Sequence, residues 1–293
     1  MTDEVDRQLI LIGGFIMPEM PELETIKRSL EPHIKGKKIK KITPLLDRQI
    51  KWPTPGEFIF HLLFHTIKSV ERRGKYLILS MDNDILLIFH LRMTGQVVYC
   101  PENAPTPNYA RIVFDFLDGS SLVYADSRTL GTIYAVKPDE IWRIKGLNEL
   151  GPEPLSDDFT LEYLKKILAS KKGSIKSFLL DQSLIAGLGN IYVDEALFLA
   201  GIHPVRSPES ITQDEAEKLY GSINKVIADG IRDGGTTFRD YRDGNGEKGS
   251  HQENLFVYGR DGKPCRKCGE IILKTRVGGR GTHFCPNCQG VDG

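Results

Sequence analysis

Four cysteines fall in two matched pairs, Cys265-x-x-Cys268 and Cys285-x-x-Cys288, with sixteen residues between the pairs. Two such knuckles put four thiolates at the corners of a tetrahedron, the donor set of a structural zinc site. All four corners are protein, which leaves no open position for a catalytic water, so one structural Zn2+ is expected. Disulfides are the competing reading, and five cysteines in a chain without an export signal argue against them. Cys100, the odd one out, reads as a small buried hydrophobe. Between Arg260 and Arg280 seven cations stand against two acids. Ile271 to Val277 and Thr282 to Phe284 read as a hairpin joined through Gly278-Gly279-Arg280-Gly281, a β-hairpin zinc ribbon with Arg280 at its tip, where a guanidinium can meet a phosphate or enter a groove.

A second cluster is Gln182-x(4)-Gly187-Leu188-Gly189-Asn190-Ile191-Tyr192, a glycine-rich turn that opens a helical pattern. Backbone amides at the start of that helix, with the Asn190 side chain beside them, can receive a phosphate. The plainer reading is a turn that lets two helices pack closely. The third cluster is Met17-Pro18-Glu19-Met20-Pro21-Glu22-Leu23-Glu24-Thr25, dense in carboxylates and prolines and placed just before an apolar repeat.

Elements must exist to hold these clusters. Leu23, Ile26 and Leu30 at helical spacing from Pro21 predict an amphipathic helix ended by Pro32 and Gly36. The period then shortens. Ile67 to Val70, Tyr76 to Leu79, Ile85 to Leu91, Gln96 to Tyr99, Arg111 to Phe116, Leu122 to Tyr124 and Thr132 to Val136 are β-branched or aromatic runs between turn signals, which predicts an antiparallel β-sandwich. Gly151 to Asp158, rich in proline and acid, ends the strand signal. Helical patterns follow at Leu161 to Leu168, Ile175 to Leu180, Ile191 to Leu199 and Asp214 to Ile231. Gly234 to Ser250, with five glycines and almost no aliphatics, reads as a long mobile loop of the kind that usually carries function.

The expected class is therefore α+β and multidomain. Residues 1–16 form a leader, 17–150 an N-terminal helix and β-sandwich, 151–253 a helical domain carrying the loop 234–250, and 254–293 the ribbon. A chain of 293 residues suits two domains and an appendage. Its 39 basic and 39 acidic residues balance, so net charge by itself argues neither for nor against a nucleic-acid partner. The longest apolar run, Leu9 to Ile16, falls far short of the roughly 20 residues that cross a bilayer. No membrane partner is expected, and a cytosolic monomer is.

At Met17 to Thr25 the chain resembles the formamidopyrimidine-DNA glycosylases, whose N-terminus reads Pro-Glu-x-Pro-Glu-x-Glu-Thr once the initiator Met is removed. The match continues in register through Arg72-Arg73-Gly74-Lys75-Tyr76, His90-Leu91-Arg92-Met93-Thr94-Gly95, Leu150 to Leu155, Gly187 to Ile191, Gly201-Ile202-His203-Pro204, Gly234 to Thr237, Val257 to Arg260 and the zinc ribbon. It spans Met17 to about Gln289. The resemblance implies a helix-two-turn-helix domain in the middle of the chain and a duplex DNA partner containing oxidised purines. It further implies excision of 8-oxoguanine and formamidopyrimidines, followed by β,δ-elimination that cuts the strand.

One amine can do both steps. A neutral amine attacks C1′, the base leaves, and the resulting iminium draws electrons from C2′ so that the 3′ phosphate is eliminated. An α-amino group titrates near 7.7 to 8.0 and a lysine near 10.4, so a terminus offers the neutral form on the order of a hundred times more often at neutral pH. A secondary amine also gives an iminium that cannot lose a proton to become a neutral imine. Pro18 is the predicted nucleophile. By resemblance Glu19 is the general acid that opens the sugar, which requires a raised pKa, and Glu22 is a supporting carboxylate grouped with the DNA-contacting residues. Lys75, Lys176, Asn190 and Arg280 match phosphate contacts, with Lys75 and Arg280 counted in the catalytic set. The target base must be flipped out of the duplex. Met93 would fill the hole, Arg128 meet the orphaned cytosine, and Leu130 wedge on the opposite strand. The loop 234–250, with Thr237 and Tyr241, matches the family's lid over the flipped base. Leu130 and His251 depart from the pattern, since relatives often carry phenylalanine at the first and usually an aromatic at the second.

Two other readings stand beside this one. In the chain as written Pro18 is internal and its nitrogen an amide, so a chain that keeps residues 1–16 would be a noncatalytic zinc-dependent DNA-binding protein. Translation from Met17, with Met17 then removed, is the expected remedy. Endonuclease VIII, which prefers oxidised pyrimidines, usually begins Pro-Glu-Gly-Pro-Glu; Met20 at the third position, the lid and Lys176 favour the purine enzyme.

Overall fold

The computed structural model describes residues 17–169 and 172–290, and the expected leader lies outside them. The apolar repeat folds as helix α1 (Met20–Ile34). Pro21 sits in its first turn, where a missing N–H costs no hydrogen bond. Pro32 does not end it. The bond Pro32 cannot donate would reach Arg28 on the exposed side, where water can serve that carbonyl, and the Lys35 amide still reaches the Glu31 carbonyl at 3.2 Å. Leu23, Ile26, Leu30 and Ile34 enter the sandwich core, while Met20, one turn earlier, enters the helical core. Each such side chain contributes about 1.5–3 kcal/mol on burial, so α1 is fixed to both halves of the protein.

Two sheets form the sandwich. One has the order β1 (Ile39–Pro44), β7 (Ala110–Phe116), β8 (Ser121–Asp126) and β6 (Gly95–Cys100). The other runs β2 (Ile50–Trp52), β9 (Thr132–Val136), β5 (Leu86–His90), β4 (Tyr76–Met81) and β3 (Ile67–Arg73). Alternation decides which side chains meet: Leu77, Leu79 and Met81 of β4 face Ile112, Phe114 and Phe116 of β7 within one core. The expectation of a wholly antiparallel sandwich is corrected at one edge, where β2 pairs parallel with β9. Periodicity reports which face is buried and says nothing of strand direction. β1, β2 and helix α2 (Pro55–Leu62) were not anticipated; β1 reads Ile-Lys-Lys-Ile, and only its two isoleucines are buried.

A short helix α3 (Lys145–Asn148) closes the sandwich side, and past the acidic segment lie α4 (Leu161–Leu168), α5 (Ile175–Leu179), α6 (Asn190–Ala200) and α7 (Gln213–Arg232). Turns separate α5 from α6, the two-turn connection between helices that the resemblance implied. α6 is buried nearly all round, Asp194 and Glu195 included. Arg72 and Arg73, at the end of β3, tie the halves together. Arg72 reaches Glu24 on α1 at 3.1 Å and Glu153 at 2.9 Å, and Arg73 reaches Glu153 at 2.9 Å.

The ribbon is β10 (Leu273–Val277) paired with β11 (Arg280–Phe284). Val277 pairs directly with Arg280, so the turn is Gly278-Gly279 alone, both at positive φ, as a two-residue hairpin turn requires. Arg280 therefore opens β11 and does not sit at the tip. Among the described residues no helix is long and apolar enough to cross a membrane.

Candidate active site

Pro18 is buried immediately before Glu19, the cap residue of α1. The Met20 amide donates to the Gly187 carbonyl at 3.0 Å, which lays this segment across the start of α6. There the Glu19 carboxylate accepts the Ile191 amide at 3.0 Å and the Tyr192 amide at 3.5 Å. A side chain at Gly189 would occupy the space of the Glu19 carboxyl, so the glycine admits the acid. This corrects the phosphate reading of the turn: the amides opening α6 hold a carboxylate of the protein itself, and both glycines serve close packing.

Burial pushes the Glu19 pKa up, Lys75 opposes that, Glu22 adds to it, and the α6 amides hold it back; the result is about 7. A carboxyl at that value is half protonated at neutral pH, as a general acid must be. Glu22 is also raised by burial, against the Thr236 amide, the Tyr192 hydroxyl and the Glu19 amide, which bond to it at 2.7, 2.7 and 2.8 Å. Only 1% exposed, its carboxylate is occupied by internal donors. Its place among DNA-contacting residues is thus corrected to a brace between the acid and the base of the lid. Lys75, 7% exposed, is lowered by burial, raised by Glu19 and Glu22 and lowered further by Arg280, so these four charges share one locality.

His90 has no role legible in the sequence. Burial, with Arg92 and Lys75, pushes its imidazole down to about 3, and neutral Nδ1 accepts the Arg92 amide at 3.3 Å. Tyr192 was missed as well, although its hydroxyl joins Glu22 to Thr236. Neither residue shows in the sequence as more than a core aromatic.

Met93 is half-buried, Arg128 is exposed and Leu130 is 45% exposed, all on turns at one end of the sandwich. A groove of about 550 Å3 lies beside them, bounded by Thr94, Asn108, Tyr109, Arg128 and the lid residues Arg239 and Asp240. The loop read as mobile is docked. The Gly244 amide donates to Ser29 of α1 at 2.8 Å, and its carbonyl accepts the Tyr99 amide at 2.9 Å. Thr237 and Tyr241 point inward: the Gly249 amide donates to the Thr237 hydroxyl at 3.0 Å, and Tyr241 donates to the Gly234 carbonyl at 3.2 Å. At the lid's end the His251 ring stacks on Tyr192 at 5.6 Å, which keeps the stacking an aromatic would make, and Nδ1 meets Asp233 at 2.9 Å.

The four ribbon cysteines bring their sulfurs within 4.8 Å of one another, with Cys265 to Cys288 at 3.9 Å and Cys268 to Cys285 at 3.5 Å. A tetrahedron with Zn–S bonds of about 2.3 Å has edges of roughly 3.8 Å, so the donor set fits one structural Zn2+. Backbone amides of Lys267 and Cys288 point at the Cys265 and Cys285 sulfurs, both at 3.4 Å, as thiolate ligands need. Lys176 is fully buried: its ammonium donates to Asp194 at 2.6 Å and to the Gly281 carbonyl at 2.8 Å, so its role is corrected from phosphate contact to support of the hairpin. Asn190 also donates to the Gly281 carbonyl, at 2.9 Å. Arg280, one residue before that carbonyl, is exposed. Removing one ligand should release this mount, because metal binding supplies the folding free energy of such small modules. Cys268→Ala is expected to weaken binding to a short duplex about tenfold or more while circular dichroism of the two larger domains persists; fluorescence anisotropy at fixed salt checks it, and undiminished affinity would sink the idea.

Three family models match the chain in order. The formamidopyrimidine-DNA glycosylase N-terminal domain matches residues 17–133, the formamidopyrimidine-DNA glycosylase H2TH domain residues 150–242, and a zinc finger found in FPG and IleRS residues 262–291. The formamidopyrimidine-DNA glycosylase of Pelotomaculum thermopropionicum is 45% identical over 275 residues, 94% of this chain and 100% of the relative. That of Bacillus licheniformis is 44% identical over 274 residues, 93% of this chain and 99% of the relative. Among solved structures, a complex of Lactococcus lactis Fpg with abasic-site DNA superposes with a TM-score of 0.87 at 38% identity, covering 93% of this chain and 99% of the other. A complex of the Lactococcus lactis protein with DNA containing Fapy-dG gives 0.86 at 38% identity, with 93% and 100% covered.

Proposed function

This chain belongs to the formamidopyrimidine-DNA glycosylase family, and from that membership we propose how its own residues divide the work of repair. It is a bifunctional base-excision enzyme that removes oxidised purines, 8-oxoguanine and formamidopyrimidines, from duplex DNA and then acts as an abasic-site lyase. The Pro18 nitrogen, when free, forms a bond to C1′ as the bond to the base breaks. Glu19 gives its proton to the ring oxygen, the sugar opens, and the cationic iminium lets C2′ lose a proton while the 3′ phosphate leaves; a second elimination releases the 5′ phosphate. The observation that carries this division of labour is the Glu19 carboxyl, set beside Pro18 on the α6 amides with its pKa at about 7. Glu22 keeps that carboxyl and the lid base in place. Lys75 and Arg280 supply positive charge for the phosphates that flank the target, with Asn190 behind Arg280.

Met93 and Leu130 wedge into the opened stack and Arg128 meets the orphaned base. Leucine at 130 can wedge but cannot stack, so it discriminates the opposite base less sharply than phenylalanine. Zinc, held by the four cysteines, supplies folding free energy to the ribbon and takes no part in bond breaking. The working place on this reading is the cytoplasm, at the nucleoid. A duplex with one 8-oxoguanine opposite cytosine is expected to be cut about tenfold or more faster than one with an oxidised pyrimidine, leaving phosphate on both sides of a one-nucleotide gap. Single-turnover gel assays measure this, and the reverse preference would replace the reading with an endonuclease VIII-like one.

A further inference from the structure

The turns that carry the wedges, 92–94 and 127–130, lack regular structure, and each holds a non-glycine residue in the left-handed region, Arg92 at φ 55° and Thr129 at φ 56°. Such backbone is uncommon outside glycine and persists only where its surroundings over-determine it. One buried carboxylate touches both turns. Asp126, 1% exposed at the end of β8, accepts the Thr94 hydroxyl at 2.6 Å and the Arg128 amide at 3.2 Å through Oδ1. Oδ2 accepts the Gly131 amide at 2.9 Å, the Gln49 side-chain amide at 2.9 Å and the Tyr124 hydroxyl at 3.1 Å. A carboxylate has about four lone-pair sites, so this one is saturated. Gln49 and Tyr124 are themselves buried, which ties the cluster to the sandwich core. Residue 131 has to be glycine because a side chain there would meet the Tyr124 hydroxyl.

We propose that Asp126 is the positioning residue that holds Met93, Arg128 and Leu130 in fixed relation, so that wedging the stack and reading the orphaned base act as one unit. The inference rests on the roles proposed above for those three residues. Asn at position 126 keeps the shape but turns one oxygen into a donor that faces other donors. In Asp126→Asn the amides of Arg128 and Gly131 should exchange with solvent about tenfold faster, with Ile191 and Tyr192 unchanged. The preference for 8-oxoguanine opposite cytosine over opposite adenine should fall about fivefold or more in single-turnover excision. A purely structural role would slow both substrates alike and leave that ratio intact.

Arg128→Ala runs beside it. If Arg128→Ala loses the preference and Asp126→Asn keeps the parental ratio, the Asp126 proposal falls and the reading of Arg128 stands; if Arg128→Ala keeps the preference, the reading falls and takes the proposal with it. Thr94→Val removes one donor from the same carboxylate and does not depend on Asp126→Asn folding. It should shift the exchange and the ratio in the same direction, by about twofold, and no change in either would overturn the proposal.

Discussion

Borohydride added to a lesion duplex with the chain that begins at Pro18 is expected to trap a covalent adduct on the Pro18 nitrogen, and the same chain preceded by residues 1–17 is expected to trap none. The difference is one of bonding. An amide nitrogen shares its lone pair with the carbonyl and has none to give C1′, whereas a free α-amine is neutral often enough at pH 7 to attack. The structure also supplies the rival that the experiment must exclude. Lys75 is buried beside Glu19, and burial pushes its ammonium down from the ordinary lysine range. Peptide mapping of the trapped adduct decides between the two amines. Attachment at Lys75, or trapping by the longer chain, would remove the role given to Pro18 while leaving the DNA-binding face intact.

Glu19→Gln is expected to lose base excision by about a hundredfold to ten-thousandfold, the usual worth of a general acid, while still binding lesion DNA. The parent enzyme should show an alkaline limb that begins not far above neutrality. Burial raises Glu19 to about 7, so the proton it donates is present below that pH and disappears above it, about tenfold per unit. The amine must lose its own proton near 7.7 to 8.0, which places the rate maximum between the two values.

The same shift bears on stability. A carboxyl whose folded pKa lies above its unfolded 4.5 loses stability to ionisation as pH rises from about 4.5 through about 7. From a shift of this size the loss is about 3 kcal/mol at most. Glu19→Gln lacks that ionisation, so at pH 8 the inactive variant should melt at a higher temperature than the parent, and at pH 4 the advantage should vanish. A variant with full excision activity, or a parent whose rate does not fall above about pH 8, would rule Glu19 out as the acid.

Much of this was legible in the residues themselves. The zinc ligands could be read from spacing because two knuckles bring their own four sulfurs together with little help from the rest of the chain. Seven of the sandwich strands and the main helices announced themselves because periodicity is local: alternate residues of Tyr76–Met81 and every third or fourth residue of Met20–Ile34 face one way whatever lies opposite. The order of motifs brought the family with it, and with the family the candidates Pro18, Glu19 and Arg280.

What the tertiary structure decided was which groups meet, and which of them water can reach. No spacing rule joins Glu19 to the Ile191 amide, 172 residues away, so the helix start that could have taken a phosphate proved to hold the acid. Lys176 and Glu22 have the chemistry of surface residues, and only the packing of α6 and the lid around them shows that their charges are spent inside. Asp126 reads as an ordinary strand-end acid until both wedge turns converge on it. The pKa of Glu19 belongs to the same class, because desolvation is a property of what surrounds a carboxyl, and its surroundings come from α1, α6 and the turn between β3 and β4 that carries Lys75, brought to one point by two separate hydrophobic cores.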